Sequence, residues 1–253
     1  MKKLAFFDSG LGGLTVLHEA LKQMPHEQYI YFADSDNAPY GTQSTTAIKA
    51  LVFDAVEFLI QQDIKALILA CNTATSVVIK DLRQQYSIPI IGMEPAIKPA
   101  LELSNNKKTL ICATEKTLSE NKLQLLIENL NATNKVKRLS LQQLVFFAEN
   151  FEFEGPQVRN YLKHSFSKIN WSEFDSIVLG CTHFIYFKKI IQELIPSYIH
   201  ILDGNKGTVK HLKDTISLNV SGNTFPIEFF SSKKAMPSDY FSPCFTLLNQ
   251  QSL

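Results

Sequence analysis

The feature that most constrains this chain is a repeated alternation. A short apolar run leads to a turn, and then to a longer segment with apolar residues at spacings of three and four. The clearest runs are residues 3–7, 29–33, 66–70, 88–92, 109–113 and 176–180. Runs this short, bounded by polar or Gly positions, suit parallel strands covered on both faces. Between them, residues 45–62 place Ile48, Leu51, Val52, Ala55, Val56 and Leu59 along one stripe of a helix. Residues 118–130 and 157–168 read as two more amphipathic helices. Strand–helix alternation of this kind predicts α/β architecture with right-handed crossovers. The tail is poorer in pattern, with residues 225–230 as its strand candidate.

One plan occurs twice. Leu67-Ile68-Leu69-Ala70-Cys71-Asn72-Thr73 and Ile177-Val178-Leu179-Gly180-Cys181-Thr182-His183 each run from an apolar strand through a small residue to Cys and a polar pair. In open α/β sheets ligands sit beyond the carboxyl ends of the strands, which puts both thiols where chemistry occurs. Each is also expected near the start of a helix, where free N–H groups favour a thiolate or a substrate carboxylate. Cys112, inside an apolar strand, and Cys244, in a Pro-flanked tail, read instead as small buried hydrophobes. No two of the cysteines form a C-x-x-C pair, which leaves no sequence signal for zinc.

Two further loops follow strands. Asp8-Ser9-Gly10-Leu11-Gly12-Gly13 is a polar, Gly-rich turn into a helix, and either Asp8 or Ser9 could simply cap that helix. Its glycines form neither a dinucleotide fingerprint nor a phosphate loop with its Lys. Residues 34–42 make a polar rim around Pro39-Tyr40-Gly41. A formal net charge of +1 over 253 residues offers no field for gripping nucleic acid or an anionic membrane. Asp8 ends the first apolar run too early for a signal peptide, and no run approaches the ~18 residues of a spanning helix. The chain reads as cytoplasmic.

In order and spacing, Asp8-Ser9-Gly10-Leu11-Gly12-Gly13, Asp34-Ser35 with Pro39-Tyr40-Gly41, Ala70-Cys71-Asn72-Thr73-Ala74 and Leu179-Gly180-Cys181-Thr182-His183-Phe184 resemble the signature segments of the glutamate racemases. These belong to the wider aspartate/glutamate racemase superfamily. The resemblance implies two pseudo-symmetric, doubly wound α/β domains with mainly parallel sheets and the active site in the cleft between them. Residues 1–92, completed by 205–253, would form one domain and residues 93–204 the other. It also implies inversion of glutamate at Cα with no cofactor and no metal, supplying D-glutamate for peptidoglycan, in a chain that pairs as a homodimer.

By the same resemblance, Cys71 acts on the D-enantiomer with help from Asp8, and Cys181 on the L-enantiomer with help from His183. Ser9, Asn72, Thr73 and Thr182 would hold the substrate's carboxylates and ammonium, while Tyr40 and Gly41 close the rim. Thr114 and Thr117 match a Thr-x-x-Thr substrate segment, and Glu149 aligns with an acid near the site. Lys116 departs from that segment, standing where a small residue is commoner. The chemistry fits on independent grounds. A single base tends to return the proton it removed, so inversion favours two groups on opposite faces. Thiols suit the task because their neighbours can tune them between the two protonation states. Other readings are an aspartate or hydantoin racemase, a Cys–His hydrolase using Cys181, and a silent anion-binding module.

Overall fold

The computed structural model describes residues 2–104, 107–219 and 222–251. Its strands are β1 (Lys3–Asp8), β2 (Tyr29–Ala33), β3 (Ile64–Leu69), β4 (Ile90–Gly92), β5 (Lys108–Ala113), β6 (Val136–Ser140), β7 (Phe174–Leu179), β8 (His200–Asp203), β9 (Glu228–Ser231) and β10 (Lys234–Met236). They form a six-stranded sheet in the order β10-β9-β2-β1-β3-β4 and a four-stranded sheet in the order β6-β5-β7-β8. Every neighbouring pair is parallel except β9 with β10. The α/β class with mainly parallel sheets is therefore as expected.

The central strands are apolar throughout because both of their faces are covered. On β1, Leu4 and Phe6 point to one buried cluster while Ala5 and Phe7 point to another, beneath helix Thr45–Ile60. On β5, Leu110 and Cys112 face the first of these clusters, and Ile111 faces a third with Ile97, Leu123 and Ile127. The first cluster also takes Ile68 of β3 and Ile177 of β7. A single apolar interior thus runs from one sheet to the other.

Three strands were not anticipated. β6, β8 and β10 lie at sheet edges, and their partly exposed residues lack an apolar run. The helix expected over 118–130 is two, Glu115–Ser119 and Asn121–Asn129, broken at Glu120, whose backbone is extended. The strand expected at 225–230 is β9, since Pro226 has no N–H to give a ladder. Among the described residues no helix is long and apolar enough to cross a membrane. Asp8 closes β1, while Asp34, Cys71, Thr114 and Cys181 lie one or two residues beyond the ends of β2, β3, β5 and β7.

Candidate active site

Cys71 is the N-cap of helix Asn72–Gln85, and its sulfur accepts a hydrogen bond from Ala74 N–H at 3.4 Å. The Ser9 hydroxyl lies 3.6 Å from the same sulfur. Burial, and then the Asp8 charge, push this thiol up to about 12, against the lowering pull of Ala74 N–H and Ser9. At neutral pH Cys71 is a neutral thiol, able to donate a proton.

Cys181 stands differently. The helix that starts after it is a 3-10 helix, Thr182–Phe187, and not an α-helix, and the Cys181 side chain caps none of its N–H groups. Its partner is His183, whose Nδ1 lies 3.7 Å from the sulfur. On the far side of the ring, His183 Nε2 is 2.5 Å from Glu149 Oε1. Burial opposes charge on this ring, but the bonds to Cys181 and Glu149 outweigh it and hold its pKa well above the ordinary histidine value. An imidazolium beside a sulfur is a ready partner for thiolate charge.

The Gly-rich turn joins the two thiol environments. Neither Asp8 nor Ser9 caps the helix that follows; Gly13 holds that position without a side-chain bond. Asp8 accepts from Gly10 N–H at 2.8 Å and from the Thr182 hydroxyl at 3.4 Å. Full burial raises its pKa despite the opposing influence of His183. The hydroxyl on the Cys71 sulfur is thus Ser9's, and Asp8 acts on that thiol through its charge. The glycines serve close approach. A Cβ on Gly10 would strike the Glu149 carboxylate, and one on Gly12 the His183 ring.

Thr73, Thr114 and Thr117 form a triangle of hydroxyls, with Thr73 at 3.0 and 3.2 Å from the other two and Thr114 3.0 Å from Thr117. Thr73 comes from one sheet's connections and the other two from the other's. Tyr40 is fixed by a 2.6 Å bond to Asp34. Lys116 reaches across to the Thr45 hydroxyl at 2.7 Å and to Glu120 at 3.0 Å, so it ties the two sides at the rim.

A small cavity of about 10 Å³ is lined by both Cys71 and Cys181. All the expected site residues line it except Asp8, Thr117 and Glu149, which stand behind Thr182, Thr73 and His183. The larger grooves, of about 640 and 780 Å³, surround Lys188, Asp203 and Lys206 and contain neither thiol. Asn72 is buried, and neither atom of its amide has a hydrogen-bond partner among the described residues. Gln142 is in the same state, with its amide pressed against Gly41. Sequence reasoning missed Gln142 and the cavity-lining Val145 and Pro39. Only the Pro-Tyr-Gly turn could have pointed to Pro39, and nothing in the local sequence marks the other two. Among the described residues, no three His, Cys, Asp or Glu side chains gather as a metal cluster.

Residues 9–212 match the family model described as Asp/Glu/Hydantoin racemase. Among curated proteins, a glutamate racemase from Halothermothrix orenii is 51% identical over 85% of this chain and 85% of its own length. One from Campylobacter concisus is 49% identical, covering 91% of this chain and 89% of its own. Among solved structures, a glutamate racemase isoform from Bacillus anthracis superposes with a TM-score of 0.85 at 26% identity, covering 100% of this chain and 94% of its own. A Francisella tularensis glutamate racemase in complex with D-glutamate gives 0.82 at 26% identity, covering 98% and 94%.

Proposed function

Because this chain belongs to the Asp/Glu/Hydantoin racemase family, we propose that it interconverts L- and D-glutamate with Cys71 and Cys181 as its two proton-transfer groups. The chain is an amino-acid racemase. The observation that carries the two-thiol reading is a cavity lined by both cysteines, each just past the end of a matching strand in a different sheet.

With L-glutamate, Cys181 in its thiolate form, beside the His183 imidazolium, takes the α-proton and becomes a thiol. Cys71, held as a thiol by its burial, gives its proton to the opposite face and keeps the thiolate charge. With D-glutamate the roles exchange. The uncommitted amide of Asn72 and the Thr73, Thr114 and Thr117 hydroxyls supply donors for the substrate carboxylates. Asp8 and the Thr182 hydroxyl lie on the side suited to the ammonium, which a carboxylate attracts. A cavity this small, lined by buried side chains, limits water at the carbanion-like carbon, which strengthens every charge interaction there.

The same reading places the reaction in a cytoplasm, as the supply of D-glutamate for peptidoglycan by a homodimer. It divides the chain into residues 1–92 with 205–253, and residues 93–204. The deciding experiment incubates the protein with L-glutamate in deuterated water. Deuterium should enter Cα as the optical rotation decays. A protein that leaves L-glutamate unchanged, or racemises L-aspartate in preference, overturns the assignment.

A further inference from the structure

Two buried phenols grip the Gly-rich turn from behind. Tyr31, on β2, donates its hydroxyl hydrogen to the Gly10 carbonyl at 2.6 Å. Tyr186, in the 3-10 run that carries His183, donates to the Leu11 carbonyl at 2.7 Å. Both are fully buried, where a phenolic O–H needs a partner and a phenolate is strongly disfavoured. Burial pushes both phenols well above the ordinary tyrosine value, so they remain O–H donors across the working range.

A peptide unit is planar and trans, so the carbonyl of one residue fixes the N–H of the next, which points the opposite way. Tyr31 therefore orients the plane that carries Leu11 N–H, and this amide donates to Glu149 Oε1 at 2.8 Å. Tyr186 orients the next plane, which carries Gly12 N–H, 3.2 Å from His183 Nε2. The two amides converge on the contact between Nε2 and Oε1. Leu11 N–H fixes the position of Oε1, and Gly12 N–H fixes how the turn stands against Nε2. Together they set the contact between His183 and Glu149 that backs Cys181. The missing Cβ atoms of Gly10 and Gly12 allow both planes to come this close.

We propose that Tyr31 and Tyr186 are positioning residues for the Cys181 half of the reaction. By fixing two consecutive peptide planes they hold Leu11 N–H on Glu149 and Gly12 N–H on His183. Neither phenol serves Cys71: the amide on its sulfur, Ala74 N–H, lies in a plane whose Thr73 carbonyl accepts instead from the Ser76 hydroxyl at 2.8 Å. This inference rests on the two-thiol reading given above.

The test compares Tyr31→Phe and Tyr186→Phe with the wild-type protein, using α-protiated and α-deuterated L- and D-glutamate. Each loss of a hydroxyl should lower kcat/KM about tenfold, equally in both directions because the equilibrium constant is one. The primary isotope effect on kcat/KM should rise for α-deuterated L-glutamate, whose bond breaks at Cys181, and fall for the D-enantiomer. Tyr29→Phe is the control for stability alone. Its hydroxyl is buried in the same sheet and donates to the Met24 carbonyl at 2.7 Å, outside the cavity. An unchanged ratio of the two isotope effects in both variants overturns the proposal, as does the same redistribution in Tyr29→Phe. Failure of the wild-type protein to racemise glutamate would instead remove the reading on which it rests.

Discussion

Cys71 and Cys181 follow equivalent strands, β3 and β7, yet keep different chemical company. Cys71 begins a regular helix, and its sulfur is met by a backbone N–H, a serine hydroxyl and the field of a buried carboxylate. Cys181 begins an irregular 3-10 run, and its sulfur is met by a histidine backed by a glutamate. The duplicated strand end thus fixes where the thiols stand, while the residues after each strand decide how each handles a proton. A proton is thus held on the Cys71 side and a cationic partner on the Cys181 side.

The most severe way to break this comparison is to remove either sulfur. Cys71→Ser and Cys181→Ser should each lower glutamate turnover by at least about a thousandfold, because a serine hydroxyl is a far poorer acid and base near neutrality. Circular dichroism of L- and D-glutamate reads this directly. Full turnover in either variant would show that one thiol suffices.

Next in size is the partner unique to Cys181. His183→Asn should cost roughly a hundredfold or more, within the range for a positioned acid–base group. In the unaltered protein the pKa of His183 is raised, so its charge is present below the ordinary histidine value and lost as pH rises through the raised one. Activity that needs the imidazolium should therefore fall on the alkaline side, and any stability it contributes should be lost over the same window. Comparing the alkaline limbs of the two pH profiles isolates this group.

Glu149→Gln tests the support behind that histidine and should cost about tenfold. Losing a carboxylate that raises the His183 pKa should move the alkaline limb to lower pH. A limb that stays in place would detach Glu149 from the histidine's protonation. The smallest effect belongs to Cys112, whose β5 thiol is buried in the apolar interior. Cys112→Ala should leave turnover unchanged and cost about 1 kcal/mol of stability, read by denaturant unfolding. A catalytic loss there would end the distinction between site thiols and core thiols.

How much of this could be read from the chain depends on locality. The strands β1, β2, β3, β5 and β7 announce themselves because burial on both faces demands continuous apolar runs. Edge strand β6 does not, since Lys137 and Arg138 face solvent. Cys71 and Cys181 were legible because strand, small residue and polar pair are contiguous at each. Asp8, Ser9, Thr114 and Thr117 are marked by the family resemblance of short contiguous segments, since local pattern alone leaves Asp8 and Ser9 as possible helix caps. Gln142, Tyr31 and Tyr186 were not, because their significance lies in atoms brought near by distant segments. The break at Glu120 stayed hidden for another reason: the apolar stripe continues across it, and periodicity carries no mark of one extended residue.

The apolar interior shared by the two sheets limits what the halves can do separately. Leu4 and Phe6 of one sheet and Leu110 and Ile177 of the other shelter in the same oil-like volume, so excising either half would leave its complement with a wet, sticky wound. Heating should accordingly produce one endotherm and not two. Any breathing that admits an amino acid must be a small tilt about this seam, never a separation.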